Sequence, residues 1–135
     1  QMCIRDRKNA VQESEKVIES FEVKTPSTST LATALSGGNQ QKFVVGRELE
    51  DNPSLLIASQ PTRGIDIGAQ ALIWEKLRNS RDEGLSVLLI SADLEELIGL
   101  SDRIIVFYQG KLVKELNAEK VSPEDLGGYM TGLKK

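Results

Sequence analysis

Hydrophobic residues recur at two different spacings along this chain. Over residues 8–23, Val11, Val17, Ile18 and Phe21 fall on one face with Glu and Lys between them, which predicts an amphipathic helix. The polar run Thr25-Pro26-Ser27-Thr28-Ser29-Thr30 ends it. Ser36-Gly37-Gly38 has the form of a helix start, with Ser36 as N-cap, and the helix should run to about Glu50 before Asp51-Asn52-Pro53 stops it. Leu55-Leu56-Ile57-Ala58 is short and wholly apolar, the pattern of a strand buried on both faces. Residues 67–82 return to helical spacing through Ala69, Leu72, Ile73 and Leu77, with Gly84 as a natural stop. Ser86–Ser91 is a second apolar strand, and Asp93 can cap a short helix carrying Leu94, Leu97 and Ile98. Ile104–Tyr108 is a third strand, and Gln109-Gly110 turns it into a fourth, Lys111–Leu116. Ser122-Pro123-Glu124-Asp125 starts a last helix, with Pro at the first position and acids in the first turn.

Alternating strands and helices predict an α/β layer fold with a largely parallel sheet and a hairpin at one edge. Residues 8–50 contain no strand and form a helical region of their own, while residues 51–135 hold the sheet and its flanking helices. Residues 1–7, Gln-Met-Cys-Ile-Arg-Asp-Arg, fit no part of the periodic pattern. They resemble a short non-native scar and are set aside from fold reasoning.

Composition narrows the functional classes. Hydrophobic residues make up 39% and charged residues 27%, a globular balance. A net charge of -3 argues against a nucleic-acid binder that works through a broad basic face, although backbone N–H groups can still build a local anion site. The single cysteine, Cys3, allows no internal disulfide and leans towards a reducing compartment. No histidine is present, which removes His-based acid–base chemistry and His-ligated metals from this chain. No apolar run approaches the ~20 residues of a membrane-spanning helix.

Chemistry concentrates at Leu35-Ser36-Gly37-Gly38-Asn39-Gln40-Gln41-Lys42. A Ser and two glycines at a helix start can bind an anion, since glycine lets a phosphate approach the backbone and free N–H groups favour negative charge. On Ser-Gly-Gly alone, a plain N-cap with flexible glycines is the better reading. The longer string resembles the signature motif of ATP-binding cassette (ABC) ATPases, with Asn39 in place of the usual fifth-position Gln. It is similar to the second ATPase domain of bacterial sugar-type and nucleoside-type importers. Downstream, Leu55-Leu56-Ile57-Ala58-Ser59-Gln60-Pro61-Thr62 resembles the Walker B segment, and Val87–Asp93 resembles the switch strand and loop. The resemblance covers roughly residues 8–135 and is specific in order and spacing.

That resemblance implies a partial P-loop NTPase (ABC ATPase) fold with a helical signature subdomain. It implies ATP and Mg²⁺ as cofactors, held mainly by a partner domain or by a P-loop outside this sequence. Ser36, Gly37, Gly38, Asn39 and Gln40 would act on the partner's ATP, and Asp66 would occupy the D-loop position. Ser59 stands at the Mg²⁺-binding Asp position, Gln60 at the catalytic Glu position and Ala92 at the switch His position. Gln can orient a water but cannot accept its proton, and alanine makes no polar contact with phosphate. No Gly-x-x-x-x-Gly-Lys-[Ser/Thr] occurs anywhere, so the P-loop is expected upstream. The implied partners are a second ABC ATPase domain, membrane permease subunits and, indirectly, an extracytoplasmic binding protein, with no nucleic acid. The implied location is peripheral, on the cytoplasmic face of the plasma membrane. The intact protein would be an ATPase, and this chain alone would be inactive. Two other readings stand beside it. One is a non-enzymatic module that only lends its signature. The other is a non-transport ABC protein, disfavoured by the acidic balance and the sugar-type signature.

Overall fold

A computed structural model describes residues 7–134. Among the described residues, five helices and four strands follow one another as α1 (Arg7–Ser20), α2 (Gly37–Glu50), β1 (Leu55–Ser59), α3 (Ile67–Asp82), β2 (Ser86–Ile90), α4 (Leu94–Leu100), β3 (Arg103–Tyr108), β4 (Lys111–Asn117) and α5 (Pro123–Met130). Short 3-10 turns lie at Ala32–Ala34 and Ala118–Lys120. Residues 1–6 of the stretch set aside above lie outside the described residues, and its last residue, Arg7, begins α1.

Local capping chemistry sets most boundaries. Ser36, Asp66, Asp93 and Ser122 accept backbone N–H bonds at the starts of α2, α3, α4 and α5. Each such cap is worth about 1 kcal/mol. Helix α3 ends at Gly84 (φ 107), where Gly84 N–H donates to Arg81 and Leu85 N–H donates to Ser80, the paired bonds of a Schellman motif. Helix α1 ends earlier than its hydrophobic spacing suggests. Glu22 takes a left-handed φ of 50, Val23 N–H bonds back to Ile18, and Phe21 and Val23 are buried beyond the helix. Val11, expected on the buried face, is exposed.

The chain forms two compact units. The first comprises the described residues up to Leu56 with Pro61–Leu88, and the second comprises Ile57–Gln60 with the described residues from Leu89 onward. In the first, α1 packs on α2 and α2 on α3. Val17, Phe21, Val45, Ile73 and Leu77 are buried there. Gly46 permits the α1–α2 approach, since a Cβ on it would sit 2.6 Å from Val17 Cγ1 and 2.7 Å from Phe21 Cδ2. In the second, Leu97, Ile104, Val106, Ala118 and Leu126 form the core. The fully buried Glu96 of α4 lies outside the apolar pattern of that helix.

Both kinds of strand pairing arise, in separate two-stranded sheets, β1–β2 and β3–β4. Ser86 N–H donates to the Ser54 carbonyl and Gln60 N–H to the Ile90 carbonyl, the progression of a parallel pair. The hairpin pairs Arg103 with Asn117 through Tyr108 with Lys111, with a bulge at Val106/Phe107. Gln109 and Gly110 both have positive φ, as the tight turn requires. The strands are less buried than their apolar runs predict. Leu55 (54%), Ile57 (62%), Leu88 (52%) and Ile90 (50%) remain exposed. A continuous apolar run fits a strand covered on both faces, and the described residues leave these alternate side chains uncovered.

Candidate functional site

The start of α2 is held by its own side chains. Ser36 sits in extended conformation (φ -62, ψ 155) as the N-cap. Its Oγ accepts from the Asn39 backbone N–H at 3.4 Å and from Asn39 Nδ2 at 3.0 Å. Asn39 Oδ1 accepts from the Lys24 backbone N–H at 2.9 Å. Gln40 Nε2 donates to the Leu35 carbonyl at 2.9 Å. Ser36, Gly37 and Gln40 are exposed, and Asn39 is half-buried.

The two glycines have different surroundings. Gly37 has open space where a side chain would be. Gly38 is buried, and a Cβ on it would lie 2.9 Å from Asp66 Oδ2 and 3.2 Å from Ala69 Cβ. Close backbone approach by an anion is therefore available at Gly37. At Gly38 the missing side chain makes room for the start of α3. Asp66 caps that helix through Oδ1, which accepts from Ala69 N–H at 2.9 Å. This bond is the main reason the Asp66 carboxyl is held below its ordinary value of 3.8; Lys42 assists and desolvation opposes. Ser36–Gln40 and Asp66 thus lie within one unit, and the Gly38–Asp66 approach joins segments that sequence spacing does not connect.

Ser59, Gln60 and Ala92 lie in the second unit, at the carboxyl ends of neighbouring parallel strands, where open α/β sheets place ligands. Gln60 takes a left-handed φ of 51 just after β1, and its N–H donates to Ile90 at 2.8 Å. A non-glycine residue in that region is strained by roughly 1 kcal/mol, so the fold fixes where the chain leaves the strand. Ala92 follows Ile90 by two residues and is exposed. Asp93 N–H donates to Ser91 Oγ, and the Asp93 carboxylate then caps α4 through Glu95 and Glu96 N–H.

Magnesium seeks several hard oxygen ligands, usually with carboxylates among them. Ser59 and Gln60 offer only neutral groups, and no group of three Asp, Glu, His or Cys side chains suited to a metal occurs among the described residues. The residues at this strand end do not fit a Mg²⁺ site. No helix among the described residues is long and apolar enough to cross a membrane.

No family model matches the chain. It is 46% identical over 121 residues to the guanosine import ATP-binding protein NupO of Bacillus subtilis, covering 90% of this chain and 24% of that protein. It is 44% identical over 117 residues to the nucleoside import ATP-binding protein NupA of Lactococcus lactis, covering 87% of this chain and 23% of that protein. The ribose import ATP-binding protein RbsA of Hahella chejuensis is 40% identical over 127 residues, covering 94% and 25%. The chain spans about a quarter of the length of these relatives. Among solved structures, a nucleotide-free ATP-binding cassette from an ABC transporter superposes with TM-score 0.74 at 22% identity, covering 97% of this chain and 50% of that one. A dimeric cassette in a post-hydrolysis state with ADP and Pi superposes with TM-score 0.72 at 20% identity, covering 90% and 52%. The fold is accordingly part of an ABC ATPase fold.

Proposed function

We propose, from the homology of this chain to the C-terminal region of ABC ATPase domains in sugar and nucleoside import proteins, that it serves the ATP-binding subunit of such an importer by completing a nucleotide site on a partner domain. The observation that carries this is the contrast at the two candidate centres. The start of α2 presents an exposed Ser36 hydroxyl and an open Gly37 backbone. The end of β1 presents Ser59 and Gln60, which can hold or orient water but cannot take a proton from it.

The division of labour follows from those groups. Ser36 and the first N–H groups of α2 stabilise negative charge on a terminal phosphate held by the partner domain. Asp66 fixes the start of α3 against the same loop. At the other centre Gln60 orients water without activating it, and Ala92 adds no donor. Hydrolysis then depends on the partner's carboxylate and on Mg²⁺ held outside this chain. Permease subunits would receive the resulting motion, with the protein peripheral on the cytoplasmic face of the membrane.

The test is Ser36→Arg in the complete transporter. The bulky cation replaces a phosphate donor, so ATP turnover should fall at least ~100-fold, the loss typical of removing one charge-stabilising donor. Turnover equal to wild type would show that Ser36 serves no nucleotide, and the reading would fall. The same strand-end chemistry favours a purely contributory role for this chain in isolation, where no ATP hydrolysis is expected.

A further inference from the structure

Ser36 can act on a phosphate only if its single hydroxyl proton points outward. A serine hydroxyl has two acceptor lone pairs and one donor. Two N–H groups of Asn39 converge on Ser36 Oγ, at 3.4 Å and 3.0 Å, so both lone pairs face inward. The side-chain amide of Asn39 could in principle be turned over, which would place its oxygen against Ser36 and capture the proton. The Lys24 backbone N–H opposes this. It donates to Asn39 Oδ1 at 2.9 Å, and a turned amide would set its NH₂ against that N–H, donor against donor.

From this chain of bonds we infer that Asn39 is a positioning residue, locked by the Lys24 N–H, that orients the Ser36 hydroxyl as an outward donor to an anionic phosphate oxygen. The inference rests on the reading of Ser36 given above and adds a direction to it. Lys24 lies between α1 and α2, fifteen residues from Asn39, so the orientation of the signature serine depends on the segment that follows α1. A shift of that segment releases the amide, and with it the serine proton.

The experiment is a double-mutant cycle on ATP turnover in the complete transporter, using Asn39→Asp, Ser36→Ala and both together. Asp keeps the acceptor for Lys24 N–H but turns the donor facing Ser36 into an acceptor, so the serine proton should turn inward. Asn39→Asp should lower kcat about 10-fold with KM little changed, the scale of one lost charge-assisted bond in the transition state. In the Ser36→Ala background the same change should have almost no effect. An equal loss in both backgrounds would mean that Asn39 acts through charge or folding, and the inference fails. Wild-type turnover in Asn39→Asp beside a large loss in Ser36→Ala would overturn the inference while leaving the function intact. Wild-type turnover in Ser36→Ala would instead sink the functional reading, and the inference with it. Amide exchange in this chain without nucleotide tests the lock itself. Lys24 N–H should exchange at least ~10-fold more slowly in wild type and Asn39→Asp than in Asn39→Leu. Equal exchange in all three would show that no lock exists.

Discussion

The start of α2 and the end of β1 are built to different standards. At α2, two side chains and a close-packed glycine fix a short loop. Asn39 bonds Ser36 and Lys24, Gln40 bonds Leu35, and Asp66 fills the space beside Gly38. At β1, the backbone is equally well placed, with Gln60 N–H anchored on Ile90 and the next strand ending two residues before Ala92. The side chains there carry no charge. A frame that delivers groups to a site and the chemistry of those groups are separate properties, and the first is present here without charged groups of the second. Gln60 makes the point directly, because it keeps a strained left-handed conformation with nothing but an amide to present.

The sharpest break of this comparison comes from the two glycines that open α2. Gly38→Ala forces a Cβ to within 2.9 Å of Asp66 Oδ2 and 3.2 Å of Ala69 Cβ. The Asp66 carboxylate is tied up as a cap and Ala69 is buried, so neither yields easily. A loss of about 1–2 kcal/mol in unfolding free energy is expected, towards the lower end of overpacking penalties because alanine favours the helix. Gly37→Ala meets nothing within 4 Å and should be neutral or stabilising by up to about 1 kcal/mol. Urea titration of both variants checks this. Equal destabilisation would mean that Gly38 is not a packing position and that the α2 start is no tighter than the strand end.

Acid sharpens the same contrast by a smaller amount. Asp66 sits below 3.8 because its carboxylate accepts the Ala69 N–H, so its folded form binds a proton less readily than its unfolded form. Its contribution to stability is therefore complete above pH 3.8 and fades as pH falls through the lowered value. Asn caps helices comparably well but does not titrate. Melting temperatures of wild type and Asp66→Asn should differ most above pH 4 and converge in stronger acid. A difference that stays constant from pH 6 to pH 2 would remove the charge from the capping account. Ser59, Gln60 and Ala92 have nothing to titrate, so the other centre contributes no such dependence.

Much of the frame could be read from local chemistry. Ser36, Asp93 and Ser122 each reveal a helix start because the cap and the amides it satisfies lie within three residues. Gly84 marks the end of α3 for the same reason. Contacts between distant segments left no comparable sign. The bond from Lys24 to Asn39 and the fit of Asp66 beside Gly38 each join separate segments, and neither residue type demands the other. Strand burial falls short of the apolar pattern for a related reason. The run Leu55–Ala58 records that its side chains are apolar, not how many layers of this chain cover them, and Leu55 and Ile57 stay exposed. A motif series points to candidate site residues, whereas the different surroundings of Gly37 and Gly38 arise only from packing against α3.

The smallest expected effect is also the most direct test of separating frame from chemistry. Ser59→Asp with Gln60→Glu places two carboxylates at the end of β1, beside the backbone that Gln60 N–H anchors on Ile90. If carboxylates were the only missing part, this chain would begin to hydrolyse ATP. No change is expected, because two acids supply a metal ligand and a base but no cradle for the phosphates, and no Gly-x-x-x-x-Gly-Lys-[Ser/Thr] occurs in these 135 residues. The fold should tolerate the pair, since Ser59 is exposed and Gln60 only half-buried. A colorimetric phosphate assay with Mg²⁺ and ATP reads the outcome. Phosphate release well above that of the unaltered chain would show that the strand end needs only its acids, and the contrast between the two centres would reduce to a pair of side chains.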